Sequence, residues 1–176
     1  MVREDPKNPS LLYAGTELGL YASFGGGPHW VRLHLKNLPT VAVHDILVHP
    51  RENDLILGTH GRSLWILDDA SPIQQLNADL LAKAVYLFEV RSGLRFTMKP
   101  TRYGIGDKPF RGPNPPLGAL ITYYLRDKPE KEGTVKVEIL DGSGQVIQEL
   151  KKVGREAGLN RVAWAPSPGS STAPRG

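Results

Sequence analysis

One pattern of short strands and turns occurs twice in the N-terminal half of this chain, and it restricts the fold more than any other feature. In the clearer copy, between Val43 and Asp69, the apolar runs of Asp45 to Val48 and Leu55 to Leu57 are short, rich in Leu and β-branched residues, and bounded by turn formers. Such runs suit strands covered on both faces better than a helix. Pro50 closes the first run, and Glu52-Asn53-Asp54 supplies side chains that bond their own backbone in a turn. Gly58-Thr59-His60-Gly61 supplies a second reversal, where Gly takes a positive φ without steric cost. Ser63 to Leu67 reads as a third strand. A meander of this size leaves an apolar face bare, so it needs neighbours of its own kind.

The other copy lies upstream. Asp5 to Pro9 matches His49 to Asn53, Leu11 to Thr16 matches Asp54 to Thr59, and Leu20-Tyr21-Ala22 matches Leu64-Trp65-Ile66. The separation is about 44 residues, in the range of propeller blades rather than helical repeats. The expected fold class is therefore all-β, with sheet units stacked side by side. The 19 Gly and 15 Pro agree with a chain of many turns.

Composition excludes some functions. There is no Cys, hence no disulfide and no thiolate chemistry, and no run of residues is apolar enough to span a membrane. The formal charge of +4 arises mostly from Lys and Arg interleaved with Asp and Glu, which reads as a solvated mixed surface. The stretch from Arg91 to Arg111 differs: six basic residues face one acid, with Phe96, Tyr103 and Phe110 among them. Such a stretch can track a phosphate backbone. Its Gly93, Gly104, Gly106 and Pro109 favour an irregular connection instead, and no nucleic-acid partner is expected.

After the third strand of the first copy comes Ser23-Phe24-Gly25-Gly26-Gly27-Pro28-His29-Trp30. Its spacing resembles the Asp-box, or BNR repeat, of sialidase-type and sortilin-type propellers, with Gly25 where that motif carries Asp. The resemblance implies a folding device formed by Ser23, Gly27 and Trp30, the Trp packed between strands; with Gly at position 25 the turn is expected to be looser. The run from Leu11 to Asp69, and FRGPNPPLGALITYYL further on, is similar to the last blades of bacterial sortilin-like, BNR-repeat proteins labelled glycosyl hydrolases. That likeness implies a C-terminal fragment of a longer chain: a partial β-propeller followed by a small immunoglobulin-like β-sandwich. It also implies upstream blades as partners.

The expected organisation is propeller blades over 1–90, a Pro/Gly-rich connection over 91–116, the sandwich module over 117–164 and a disordered Ser/Pro/Gly tail over 165–176. Asn77 is expected to cap a short helix reaching about Lys83 with Leu80 and Leu81 inward, and Val85 to Phe88 to form a strand. Prolines between Gly112 and Pro116 cannot join a sheet. Four strands follow, over 119–125, 134–140, 146–150 and 160–164, with Asp141-Gly142-Ser143-Gly144 as a hairpin turn. Val135, Val137 and Ile139 alternate with Lys136 and Glu138, giving one buried and one wet face. With its blade faces bare, the isolated chain is expected to self-associate or to be marginally stable.

The five His, at 29, 34, 44, 49 and 60, invite a metal reading, but His44 and His49 fall on opposite faces of an extended segment. No metal and no cofactor are expected. The ring nitrogens of His44 and His60 are expected to bond backbone or a carboxylate such as Asp45 or Asp68. Glycoside hydrolysis needs two facing carboxylates, one held protonated. Among Glu17, Asp45, Asp68 and Asp69, the pair Asp68-Asp69 reads as turn capping, which leaves Asp45 as the weak catalytic candidate. No G-x-S-x-G and no phosphate-binding glycine loop occurs. Two functions stay open. One is binding and scaffolding of a protein or glycan ligand through the turn Gly58 to Ser63, with His60 and Arg62 as contacts. The other is polysaccharide hydrolysis with acids mostly upstream. The compartment is left open, since any export signal would lie upstream as well.

Overall fold

A computed structural model describes residues 1–35, 37–93, 112–130 and 135–166. Most of the basic and aromatic stretch, together with Thr134 and the tail from Ser167, lies outside them. The chain is mostly β-structure in several antiparallel sheets, and it divides into two compact units, Met1–Ala82 and Lys83–Gly176.

In the first unit, β1 (Val2–Glu4), β2 (Leu12–Thr16), β3 (Gly19–Ser23) and β4 (Val31–Arg32) form a four-stranded sheet in chain order. A three-stranded sheet follows, made of β5 (Val43–Val48), β6 (Leu55–Thr59) and β7 (Leu64–Leu67). The two sheets share one register. The row Val2, Ala14, Tyr21 corresponds to Ile46, Leu57, Trp65, and the row Arg3, Tyr13, Ala22 corresponds to Leu47, Ile56, Ile66. Gly15 opposite Leu20 likewise corresponds to Gly58 opposite Leu64.

The sheets pack face on face, but with different faces. The first contributes Tyr13, Leu20 and Ala22; the second contributes Val43, Ile46, Val48, Leu55 and Leu57. All eight are buried, and burial of this size is the main stabilising term of the unit. The sheets approach closely at Gly15, where a Cβ would lie 3.0 Å from Val43 Cγ1 and nearer still to the Val43 carbonyl oxygen. A side chain there would wedge the sheets apart.

Two short helices follow. Pro72 begins α1 (Ser71–Gln75), where its missing N–H removes nothing, since the first turn of a helix has no partner for that group. Asp69 Oδ1 accepts from the Ser71 hydroxyl at 2.6 Å and its N–H at 3.2 Å, which ties down the turn into the helix, while the N-cap position itself is Ala70 and carries no side-chain cap. Asn77 caps α2 (Ala78–Leu81) by accepting from Leu80 N–H at 2.8 Å. Only Leu80 turns inward; Leu81 is exposed, because a helix this short presents a single inward position.

A buried polar network ties α1 to the turns of both sheets. Asp5, fully buried, accepts from the N–H groups of Lys7 and Asn8, from the Tyr13 hydroxyl at 3.0 Å and from the Gln74 amide. Gln74 also exchanges hydrogen bonds with Asn53, whose amide reaches Ser71 Oγ as well. Burial, then the neighbouring Asp5 charge and its hydrogen bond, push the Tyr13 hydroxyl far above the ordinary tyrosine range.

The second unit contains β8 (Val85–Leu87), β9 (Ala119–Leu125), β10 (Glu138–Leu140), β11 (Val146–Glu149) and β12 (Gly158–Trp164). β8 is hydrogen-bonded to β9, in a sheet ordered β12-β9-β8, while β10 and β11 form a hairpin around Asp141 to Gly144. Asp141 Oδ1 accepts from Ser143 N–H, Ser143 Oγ and Gln145 N–H, which fixes the turn. Trp164 Nε1 donates to Gln148 Oε1 at 2.9 Å and so links the two sheets. Between them lies a cleft of about 500 Å³, walled by side chains such as Leu87, Ile121, Tyr123, Ile139 and Trp164.

Candidate functional site

The turn between β6 and β7 is tightly built. Both the N–H and the hydroxyl of Thr59 donate to the Ser63 carbonyl, at 3.1 and 2.7 Å. Gly61 and Ser63 both adopt positive φ, 71° and 60°, a conformation Gly takes freely and Ser does not. Trp65 Nε1 donates to the Arg62 carbonyl at 3.0 Å, and His60 N–H donates to the Ala42 carbonyl at 2.9 Å. These bonds hold the backbone on both sides of Arg62, so its exposed guanidinium starts from a fixed base.

Beside this turn, β5 carries a bulge. Val43 pairs with Thr59 and Asp45 with Gly58, so His44 is one residue too many for its partner strand. A bulge bends the strand and re-aims the extra side chain. The His44 ring stacks on the His60 ring, centroids 5.3 Å apart and planes inclined by 26°. Both rings are exposed. The histidine whose ring bonds backbone is instead His49, Nδ1 accepting from Glu52 N–H at 3.0 Å.

Asp45 follows the bulge. Its carboxylate accepts from its neighbour's N–H, on Ile46, at 2.9 Å and sits 3.4 Å from Arg3 Nη2, in an ion pair whose partners are both well exposed. A general acid is held protonated by burial or by a like-charged partner, whereas Asp45 is exposed and faces a cation. Among the described residues no group of three or more His, Asp or Glu is placed to hold a metal.

The Ser23 to Trp30 loop is held through its first half. Ser23, fully buried, accepts from Gly27 N–H through Oγ at 2.9 Å, and Gly26 N–H donates to the Ser10 carbonyl. Gly26 and Gly27 take positive φ, 75° and 117°. Trp30 stays 39% exposed rather than filling the space between strands. A Cβ on Gly25 would meet nothing within 4 Å, so the position has room for a side chain.

The structure thus brings His60 and Arg62 onto one turn, adds His44, and places Asp45 next to it. Ser23 and Gly27 belong to a separate loop. His44 escaped sequence reasoning because strict alternation places it on a strand face; only a bulge, invisible in the residue pattern, sets it on His60. The polar cluster around Asp5 was equally hidden, since Gln74 lies far along the chain from it. Comparison with protein-family models, with curated proteins and with solved structures finds no match to this chain.

Proposed function

We propose that this chain is the blade-bearing C-terminal portion of a bacterial sortilin-like, BNR-repeat β-propeller protein with an immunoglobulin-like module, and that it binds rather than hydrolyses. Its ligand is a protein or glycan carrying carboxylate or closely spaced hydroxyl groups. The observation that carries this reading is the exposed stack of His44 on His60 beside Arg62, on a turn whose backbone is braced by Thr59 and Trp65. A guanidinium fork recognises a carboxylate bidentately, and flat rings offer sugar or peptide groups a face at little entropic cost. The matching register of the two sheets supports the propeller reading, because blades repeat in register as well as in sequence.

The test is a screen of the whole chain against arrays of acidic glycans and acidic peptides, followed by titration with Arg62→Ala and with His44→Ala/His60→Ala. A hit weakened about tenfold by each variant, with unchanged circular dichroism, supports the reading. Binding indifferent to both variants, or release of reducing sugar from a polysaccharide that Asp45→Asn abolishes, overturns it.

A further inference from the structure

The cleft of the second unit is walled by apolar side chains set at the spacing of extended chain. Ala119, Ile121 and Tyr123 are alternate residues along β9 on one wall, and Val135, Val137 and Ile139 alternate into β10 on the other. The walls are also open to solvent. Val85, Leu87 and Leu140, which line the same cleft, are 62%, 60% and 53% exposed. Protein interiors are packed as densely as organic crystals, so about 500 Å³ of apolar space between two sheets of one module calls for an occupant.

The chain itself supplies one at the right place. Gly93 is pressed against the start of β9, where a Cβ on it would run into the backbone of Gly118 and Ala119, and Gly118 in turn lies against the Trp164 carbonyl. The chain between Gly93 and Gly118 therefore leaves from, and returns to, one corner of the cleft, beside Ala119 and Trp164 of its lining. Of the stretches outside the described residues, Lys131 to Thr134 and the tail from Ser167 carry no large apolar side chain. Leu94-Arg95-Phe96-Thr97-Met98-Lys99, which begins immediately after Gly93, alternates apolar and polar residues strictly until Pro100. Its apolar residues recur at the same period of two as those of both walls.

We propose that the cleft is the seat of Leu94, Phe96 and Met98 of this same chain, which enter between the Ala119, Ile121, Tyr123 wall and the Val135, Val137, Ile139 wall. Arg95, Thr97 and Lys99 fall on the opposite, solvent side. Extended chain covers about 13 Å from Leu94 to Met98, the same length as from Ala119 to Tyr123, so the three side chains match the wall one for one. The first part of the basic and aromatic stretch thereby serves the module's own core. The inference lies within the second unit, needs nothing outside this chain and is independent of the ligand site proposed above.

The test uses the whole chain. Met98 is one of two methionines, and the other, Met1, belongs to the first unit, so labelling the methionine methyl groups with carbon-13 gives a signal that Met98→Leu assigns. The expected result is nuclear Overhauser contact between the Met98 methyl and the ring protons of Tyr123 or Trp164. Phe96→Ser should also lower the melting temperature of the second unit, read at the Trp164 indole N–H resonance, by about 10 °C, whereas Arg95→Ser should leave it within about 2 °C. A Met98 methyl without contact to any cleft residue overturns the inference, and because it is measured on the wild type it decides even where Phe96→Ser fails to fold. So does an unchanged midpoint in Phe96→Ser, or an equal loss in both variants. Contacts from the cleft rings to a co-purified apolar molecule overturn it as well and assign the cleft to a free ligand.

Discussion

The side-chain amide of Gln74 donates to both carboxylate oxygens of Asp5, at 3.0 and 2.9 Å, and so joins the helix after the second sheet to the first turn of the first. Asp5 is fully buried, and a buried carboxylate is tolerated only when several donors surround it. Gln74→Leu removes the bond that closes the network and should cost the first unit about 2 kcal/mol. Urea unfolding followed by Trp fluorescence measures it; a change below about 0.5 kcal/mol would show that the other donors suffice.

Tyr13 gives the same network a signature in base. Its hydroxyl is held above the ordinary tyrosine range by burial first and by the Asp5 carboxylate second. In the unfolded chain Tyr13 ionises above about pH 10, whereas in the folded chain it stays protonated. The unfolded state then binds fewer protons, so stability present below pH 10 is lost as pH rises further, by about 1.4 kcal/mol per unit. Tyr13→Phe should flatten that decline while lowering stability at neutral pH, because Asp5 loses a donor. Unfolding midpoints from pH 8 to 11.5 in both proteins decide it.

Gly15 and Gly58 occupy the same position in their sheets but different surroundings. Gly15→Ala drives a Cβ into the backbone of Val43 and should destabilise by about 3 kcal/mol. Gly58→Ala, with its nearest neighbour at 3.4 Å, should stay within about 0.5 kcal/mol in dilute protein. Thermal melts of the two variants side by side provide the comparison.

The Gly25 turn allows a gain. Ser23→Ala removes the Oγ that receives Gly27 N–H and should cost about 1 kcal/mol. Gly25→Asp puts a side chain into open space at a residue without positive φ and should add about 0.5 kcal/mol by restricting the unfolded chain. A loss of stability in Gly25→Asp would mean that the turn has no use for the missing carboxylate.

Asp141 titrates low. The Ser143 hydroxyl first, then the Gln145 and Ser143 N–H groups, stabilise its ionised form and hold its carboxyl below the usual aspartate value. The hairpin support it provides is thus present above pH 4 and fades as pH falls through the lowered value. NMR titration of the Asp141 carboxyl should show a midpoint below that of an unstructured aspartate. Asp141→Asn should remove the acid dependence of Gln145 amide exchange.

Much of this molecule is legible in its residues alone. Asn53, Gly61 and Asp141 mark turns because local chemistry makes those turns cheap, and Leu55 to Leu57 or Ala119 to Leu125 form strands because short, β-branched and aromatic runs fit nothing else. His60 and Arg62 were readable for the same reason, as parts of a turn. A period of two states that a strand has two faces and is silent on which is covered; packing alone decided that Tyr13 lies inward and its counterpart Ile56 outward. Local propensity likewise could not pair β8 with β9, set His44 on His60 through a bulge, or bring Gln74 to Asp5. Each of those is a contact between residues distant in sequence, and its free energy exists only once both chain segments are in place.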